Sequence, residues 1–593
     1  MKKYLRQFGL AALVLLLAFS SFHQPENPAT EPDLSQLFDP LTLSQNLCGG
    51  ASGMADTFTW GPVEIAAAAE EPVAKTSRSP HMDGLGDAHY RITTSIPEAQ
   101  AFFDQGLRLV YDFNPGEAVA SFRAASDLDP KCAMCFWGEA LALGPNLNGP
   151  MRAEDIPVAI EAAKIAKALS SNTTAAEQAL IGAVATRYSA EKDVKREDLD
   201  IAYANAMAEV YASHKKDSEI ATLYADAAME VRSVPWRQPW DKTGRYPQGY
   251  WAKAIVVLED ALPRYPRHAG LIHLYIHAMD GSATIKKAEP YADKLAALVP
   301  KGGHMVHMPA HTLFSLGRYK DSLATNLIAI KADEDYLSRP VAANDIYRFG
   351  LYPHNVSYAL ASAEMVGDAA VGKELTVKLK THLDQRKTLS EGYLSDYMHA
   401  VVAFGTPEEI LALQEPPKDK PYVTGIWHYA RGTAYARMGD MTNALAEADA
   451  LVALNDPRNE KAFGNFKEMS IAMTTAEHML RGRVDAFQGK WAEAATHFQK
   501  AAETEDDSFI KDPPSWVFPV RQALGVALLR QGKTLAAEEA LRRALFDAPS
   551  SGYALYALQE VSKVQKDETA LREYGKLFEK AWAGTTPPDL DHM

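Results

Sequence analysis

The chain has 593 residues, 47% hydrophobic and 23% charged, a composition that excludes wholesale disorder and provides ample surface to bury. Its 61 lysines and arginines against 76 aspartates and glutamates leave a net charge of −15 with no long basic run, which argues against nucleic acid and anionic membrane surfaces as main partners. At about 150 residues per domain the length suggests roughly four domains, a prior that a repeat array overrides.

Lys2, Lys3 and Arg6 precede an apolar stretch over residues 8–22, in which Ala18 and Ser20 are spaced like a signal-peptidase site. The stretch is shorter than the ~20 residues that cross a bilayer. Residues 1–20 therefore read as an export signal, and the mature chain is expected in the periplasm or extracytoplasmic envelope with no transmembrane domain. Residues 21–90, rich in Pro, Ala, Ser and Glu, read as a flexible tether. Cys48 lies within it, too far beyond the apolar stretch to be a lipoprotein acceptor.

From about Glu98 onward helical periodicity with short Gly turns dominates and strand alternation is missing, so the expected fold is all-α. Gln105-Gly106-Leu107, Phe113-Asn114-Pro115, Ala118-x3-Phe122 and Asp129-Pro130 carry the helix-turn-helix punctuation of a tetratricopeptide repeat, whose period is about 34. The same grammar returns at Gly317-Arg318-Tyr319, Gly439-Asp440, Gly489-Lys490-Trp491 and Gly532-Lys533. One such unit cannot bury its apolar faces alone, so stacking supplies the core. The intervals Gly439 to Gly489 (50) and Gly489 to Gly532 (43) exceed one unit. Residues 232–250, with Trp236, Pro239, Trp240 and Pro247, also break the pattern and read as a loop packed on a face. The expectation is an irregular α-solenoid with N-terminal helical repeats over 91–240, central repeats over 241–400 and C-terminal tetratricopeptide repeats over 401–593.

Histidine spacing is the most informative feature of the central repeats. His273 and His277 are i, i+4, as are His307 and His311, so each pair projects from one side of a helix. His273 to His307 and His277 to His311 are both 34 residues, as are Pro266 to Pro300. The pairs therefore occupy equivalent positions on the first helices of adjacent units, which pack about 8–10 Å apart, close enough for the rings to meet at one atom. His304 and His354 each lie 13 residues before a turn glycine, Gly317 and Gly367, and are also equivalents. Pro309 interrupts the His304, His307, His311 stripe and removes a helical donor.

Neutral imidazoles in this number suit zinc or copper. Met279, Met305 and Met308 in the same phrases tilt the choice towards copper, although methionine also fills gaps between helices. The candidate metal ligands are His273, His277, His304, His307, His311 and His354. Two other readings of the ladder stand beside this one: hydrogen bonds to a peptide in the concave groove, and packing histidines inherited by repeat duplication.

Cys132 and Cys135 are i, i+3 at the start of a helix, where the helix dipole lowers thiolate pKa. A disulfide between them, a redox pair, a metal pair and a mixed pairing with Cys48 all remain open. No second C-x-x-C exists for a zinc ribbon, and Phe136 in place of His argues against covalent haem. The common hydrolase, metalloprotease, P-loop and dinucleotide signatures are missing, so no catalytic or organic-cofactor residues are assigned and the reading leans away from an enzyme. Glu139, alone in an apolar helix, reads as a satisfied acid. Trp516, Phe518 and Arg521 read as repeat core ahead of a ligand patch.

Cys132-Ala-Met-Cys135-Phe-Trp137-Gly138 after Asp129-Pro130, His307-Met-Pro-Ala-His311 with Gly317-Arg318-Tyr319, and Pro519-Val520-Arg521-x3-Gly525 together resemble a widespread family of exported or envelope-associated bacterial tetratricopeptide-repeat proteins. The resemblance spans about residues 84–578 and implies an α-solenoid without implying a particular reaction. Relatives often carry His where Ser357 follows Pro353-His354-Asn355, so a site including that position is altered here. The expected function is an exported repeat protein that binds a protein or peptide partner in its concave groove and holds copper or zinc between adjacent repeats. An envelope scaffold without metal, or a metal-dependent enzyme, are the alternatives.

Overall fold

Turn chemistry organises this chain. Gly317, Gly367, Gly439, Gly489 and Gly532 all have φ between 71° and 80°, and each ends a helix in a left-handed cap. The following residue reaches back five positions, as in Arg318 N–H to Leu313 O (2.8 Å), Asp440 to Tyr435 (2.9 Å) and Lys490 to Asp485 (2.8 Å). Each cap reverses the chain into an antiparallel helix, and repetition of these hairpins gives an all-α tetratricopeptide-type solenoid.

The computed structural model describes residues 80–191, 193–231, 240, 244–339, 347–385, 391–455, 466–506, 516 and 520–592. These fall within one compact unit, Pro40–Met593. The export signal, most of the tether with Cys48, and Trp236, Pro239, Pro513, Pro514, Ser515 and Phe518 lie outside the described residues. Among the described residues there is no β-strand, and no helix is long and apolar enough to cross a membrane.

The segment from residue 80 is already laid on the body, short of the tether boundary expected at 90. Leu85 is buried, Met82 N–H donates to Gln105 Oε1 (2.7 Å), and Lys301 N–H donates to Gly84 O (3.1 Å). The first hairpin joins Pro97–Tyr111 to Pro115–Leu128, and Ala133–Leu143 follows. Trp240 packs as the irregular segment predicts, its indole N–H donating to Ala278 O (3.2 Å).

The central repeats comprise Ala269–Met279, Glu289–Leu298, Gly303–His307 continued by Pro309–Ser315, Tyr319–Leu337 and Tyr352–Val366. Both ends of the array fold back onto them. From the N-terminal side, Asp112 Oδ1 accepts Met305 N–H (3.1 Å). From the C-terminal side, Ala583 N–H donates to Val366 O (2.8 Å), and a Cβ on Gly317 would meet Pro549 O at 2.1 Å. The large apolar cluster of the N-terminal half ends at Met308 and the next begins at Ala310, so the histidine phrases sit at the seam between two cores.

Gly302 and Gly303 open the His304 helix where acids press against its backbone. A Cβ on Gly303 would lie 1.7 Å from Asp333 Oδ1, and Asp333 is fully buried with its Oδ2 accepting from Asn355 Nδ2 (2.7 Å). Gly303→Ala should therefore cost about 1–3 kcal/mol by overpacking, read as a lower urea midpoint. An unchanged midpoint would show that the Asp333 contact yields without cost.

Candidate metal centre

Five of the six predicted histidines are at most 2% exposed: His273, His304, His307, His311 and His354. His277 is partly exposed. The structure brings all six together, as two triads rather than around one point. His273, His277 and His304 form the first and His307, His311 and His354 the second, the ligand atoms of each lying within 4.8 Å of one another. Each triad takes an i, i+4 pair, His273 and His277 from one helix and His307 and His311 from either side of the break at Met308, and its third member from the next unit.

In the first triad His273 Nε2 lies 3.1 Å from His304 Nε2. In the second, His307 Nε2 lies 2.7 Å from His311 Nε2 and 3.0 Å from His354 Nε2. An ion bound at 2.0–2.1 Å would hold such nitrogens about 3.3 Å apart, so small outward ring movements suffice. The break expected at Pro309 is present, since one helix ends at His307 and the next starts at Pro309. Met308 bridges the two with its N–H on His304 O (3.0 Å), and His307 and His311 stay on one side.

Tautomers follow from the outer contacts. His273 Nδ1 faces Tyr111 O at 2.7 Å; a carbonyl only accepts, so Nδ1 carries the proton and Nε2 presents its lone pair inward. Asn326 donates its amide to Ser322 O (3.0 Å), which turns its Oδ1 towards His307 Nδ1 at 2.6 Å. His307 is thereby fixed in the same tautomer. His311 Nδ1 lies 3.6 Å from Asp280 Oδ2.

Burial pushes His273 down to about 3, and burial with the neighbouring imidazoles holds His304 and His307 well below the usual range. These rings are neutral at pH 7, the form that ligates metal. Among the described residues, His304 Nδ1 and Asn148 Oδ1 are buried with no hydrogen-bond partner. Asn148 Nδ2 lies 3.4 Å from His304 Nε2.

Sequence reading missed the aromatic covers. Phe113 stacks on the first triad, with ring centroids 4.5 Å from His273, 5.2 Å from His304 and 5.7 Å from His277. Its φ is +52°, and Asn114 N–H donates to Leu109 O (2.9 Å). Phe113 thus occupies the left-handed cap position that glycine fills at 317, 367, 439, 489 and 532, at a steric cost of roughly 1–2 kcal/mol. A phenylalanine where the repeat grammar calls for glycine was the available signal. Tyr358 covers the second triad, 4.8 Å from His311 and 5.3 Å from His307.

Ser357 belongs to neither triad. Cys132 and Cys135 are joined in a buried disulfide in the structure. Arg123 pairs with Glu139 (2.6 Å). Trp516 is buried against Tyr429 and His399 (centroids 4.8 and 5.4 Å), while Arg521 pairs with Asp506 and Asp547.

Fold and site together define a tetratricopeptide-type helical repeat protein with a six-histidine cluster, five of its members buried. No family model matches the chain, and no curated protein matches it. Among solved structures, the human IFIT1 dimer with m7Gppp-AAAA is 14% identical, covering 84% of this chain and 91% of that one at a TM-score of 0.30. Naa15/Naa10 bound to HypK-THB is also 14% identical, covering 82% and 70% at a TM-score of 0.20. At these scores neither likeness bears on function.

Proposed function

We propose that this chain is an exported repeat protein that holds a transition metal, copper or zinc, in its histidine cluster and receives a protein or peptide partner in the concave groove of the array. The observation that carries the metal reading is the inward Nε2 lone pair of His273 and of His307, each fixed by an outer acceptor on Nδ1. Packing histidines have no need of this: their polar atoms are satisfied outward and their rings do not converge. Carbonyl–histidine support of this kind is what metal sites use to orient and strengthen ligands.

Three imidazoles suit either metal; copper is put ahead of zinc because Met305 and Met308 are buried beside the ligating histidines in sequence and a thioether favours Cu(I). The buried Cys132–Cys135 disulfide and the apolar N-terminal stretch support an oxidising, extracytoplasmic location. The partner role rests on the repeat architecture alone.

Elemental analysis of full-length protein purified without an affinity tag tests the metal reading. The expected result is copper or zinc in whole-number stoichiometry that survives dialysis. Folded protein that retains neither metal after supply and dialysis would leave the plain interaction scaffold as the function.

A further inference from the structure

The second triad is the first moved along by one repeat. His273 and His277 become His307 and His311 after 34 residues, and His304 becomes His354, each of the two lying 13 residues before its turn glycine. Translation by one repeat places the copies side by side. His277 and His311 are 6.3 Å apart between ring centroids, and His304 and His307 are 6.2 Å apart. Distances inside the triads run from 4.7 Å (His307–His311) to 6.0 Å (His277–His304), so the triads abut with no intervening layer.

Each triad offers three imidazole nitrogens, one fewer than a closed tetrahedral site, and so leaves a position open for a further ligand. Charge then selects the ion. Two divalent ions would bring four positive charges among side chains that are nearly all buried, with no carboxylate in either triad and Asp280 set back at 3.6 Å from His311 Nδ1, and the desolvation cost rises with the square of the charge. Two cuprous ions bring half of that charge and accept imidazole. The surroundings also select the extra ligand. Phe113 and Tyr358 lie on the rings, so a free anion would lose its hydration on entering and a small apolar molecule would not.

We propose that the two triads hold a pair of cuprous ions that bind one molecule of dioxygen between them. This rests on the metal-binding reading above and goes beyond it in stoichiometry, oxidation state and ligand. On binding, each copper gives up one electron, from Cu(I) to Cu(II), and dioxygen takes up both. Its O–O bond order falls from two to one, and two Cu–O linkages form. No proton moves. The metals gain two positive charges while the bound oxygen gains two negative ones, so the net charge of the buried cluster is unchanged. Oxidation by an outside acceptor has no such compensation. Release of dioxygen returns both electrons, so no further reductant is required.

The test uses the full chain loaded anaerobically with cuprous ion, dialysed, assayed for copper and then exposed to air. The expected result is two coppers and one dioxygen per chain, a new near-ultraviolet charge-transfer band, and loss of that band on degassing. The oxygenated protein should give no electron paramagnetic resonance signal, because the paired cupric ions couple. His277→Ala and His354→Ala each break one triad; each should retain one copper, take up no dioxygen, and show an ordinary mononuclear cupric signal after ferricyanide. Two coppers per chain with full signal intensity after air exposure, or with no oxygen uptake, would overturn the pairing and leave the metal-binding reading standing. A single copper per parent chain would overturn it likewise. Protein that retains neither copper nor zinc overturns both. If one variant fails to fold, the other variant and the parent's resonance signal still decide.

Discussion

Replacing His273 and His307 together by alanine should reduce bound copper or zinc to background and destabilise the protein even without metal. One ligand disappears from each triad, leaving two imidazoles in each. The metal-free effect comes from the outer contacts. His273→Ala leaves Tyr111 O without its 2.7 Å donor, and His307→Ala leaves the fully buried Asn326 Oδ1 without its 2.6 Å donor. An orphaned buried acceptor costs about 1–3 kcal/mol, so the pair should lose about 2–6 kcal/mol, since the two contacts share no partner. At a metal concentration of a hundred times Kd, the parent should gain a further ~2.7 kcal/mol for each bound ion that the double variant does not. Urea denaturation with and without metal separates the two contributions. Equal metal content in parent and double variant would remove the histidine cluster as the site.

The second large effect is expected at Glu230→Ala, remote from any ligand. Arg187 and Glu230 are paired at 2.5 Å with side chains 2% and 3% exposed. Removing the acid leaves a buried guanidinium with Asp226 as a neighbouring acid but without its hydrogen-bonded counter-charge, which costs about 3–5 kcal/mol. The consequence reaches the metal centre because Arg187 also donates to Leu141 O (3.1 Å) and Pro145 O (2.6 Å). Those contacts hold the turn that carries Asn148 to His304. Glu230→Gln keeps an acceptor for Arg187 but loses the charge, so a smaller loss is expected. Denaturation midpoints for both variants check the order; an Ala variant as stable as the parent would show that water or a neighbouring acid compensates Arg187.

The array itself was legible in the sequence. Turn glycines at left-handed caps, the small-and-large helix pattern and the 34-residue intervals are local or periodic signals, and a helix hairpin forms from local rules. The equivalence of His273 with His307, and of His304 with His354, could be counted along the chain. So could the i, i+4 pairing, which survives the interruption at Pro309 because Met308 continues the turn on His304 O.

How those histidines are shared out could not be counted. The spacing suggested a single point of convergence, whereas translation by one repeat carries every member of a site forward together and so makes a second site beside the first. Asn326 is 19 residues from His307, but the other ring partners are remote in sequence: Tyr111 O is 162 residues from His273, and Asn148 is 156 from His304. They arrive only because the first hairpin, with Tyr111, and the turn after Ala133–Leu143, with Asn148, fold back on the central repeats, a contact set by burial of apolar faces and not by any local propensity. Phe113 shows the division most clearly. Its identity at a glycine position is written in the sequence, but the rings that compensate its left-handed backbone are supplied by the tertiary structure, because stacking requires surfaces that meet only when the array closes.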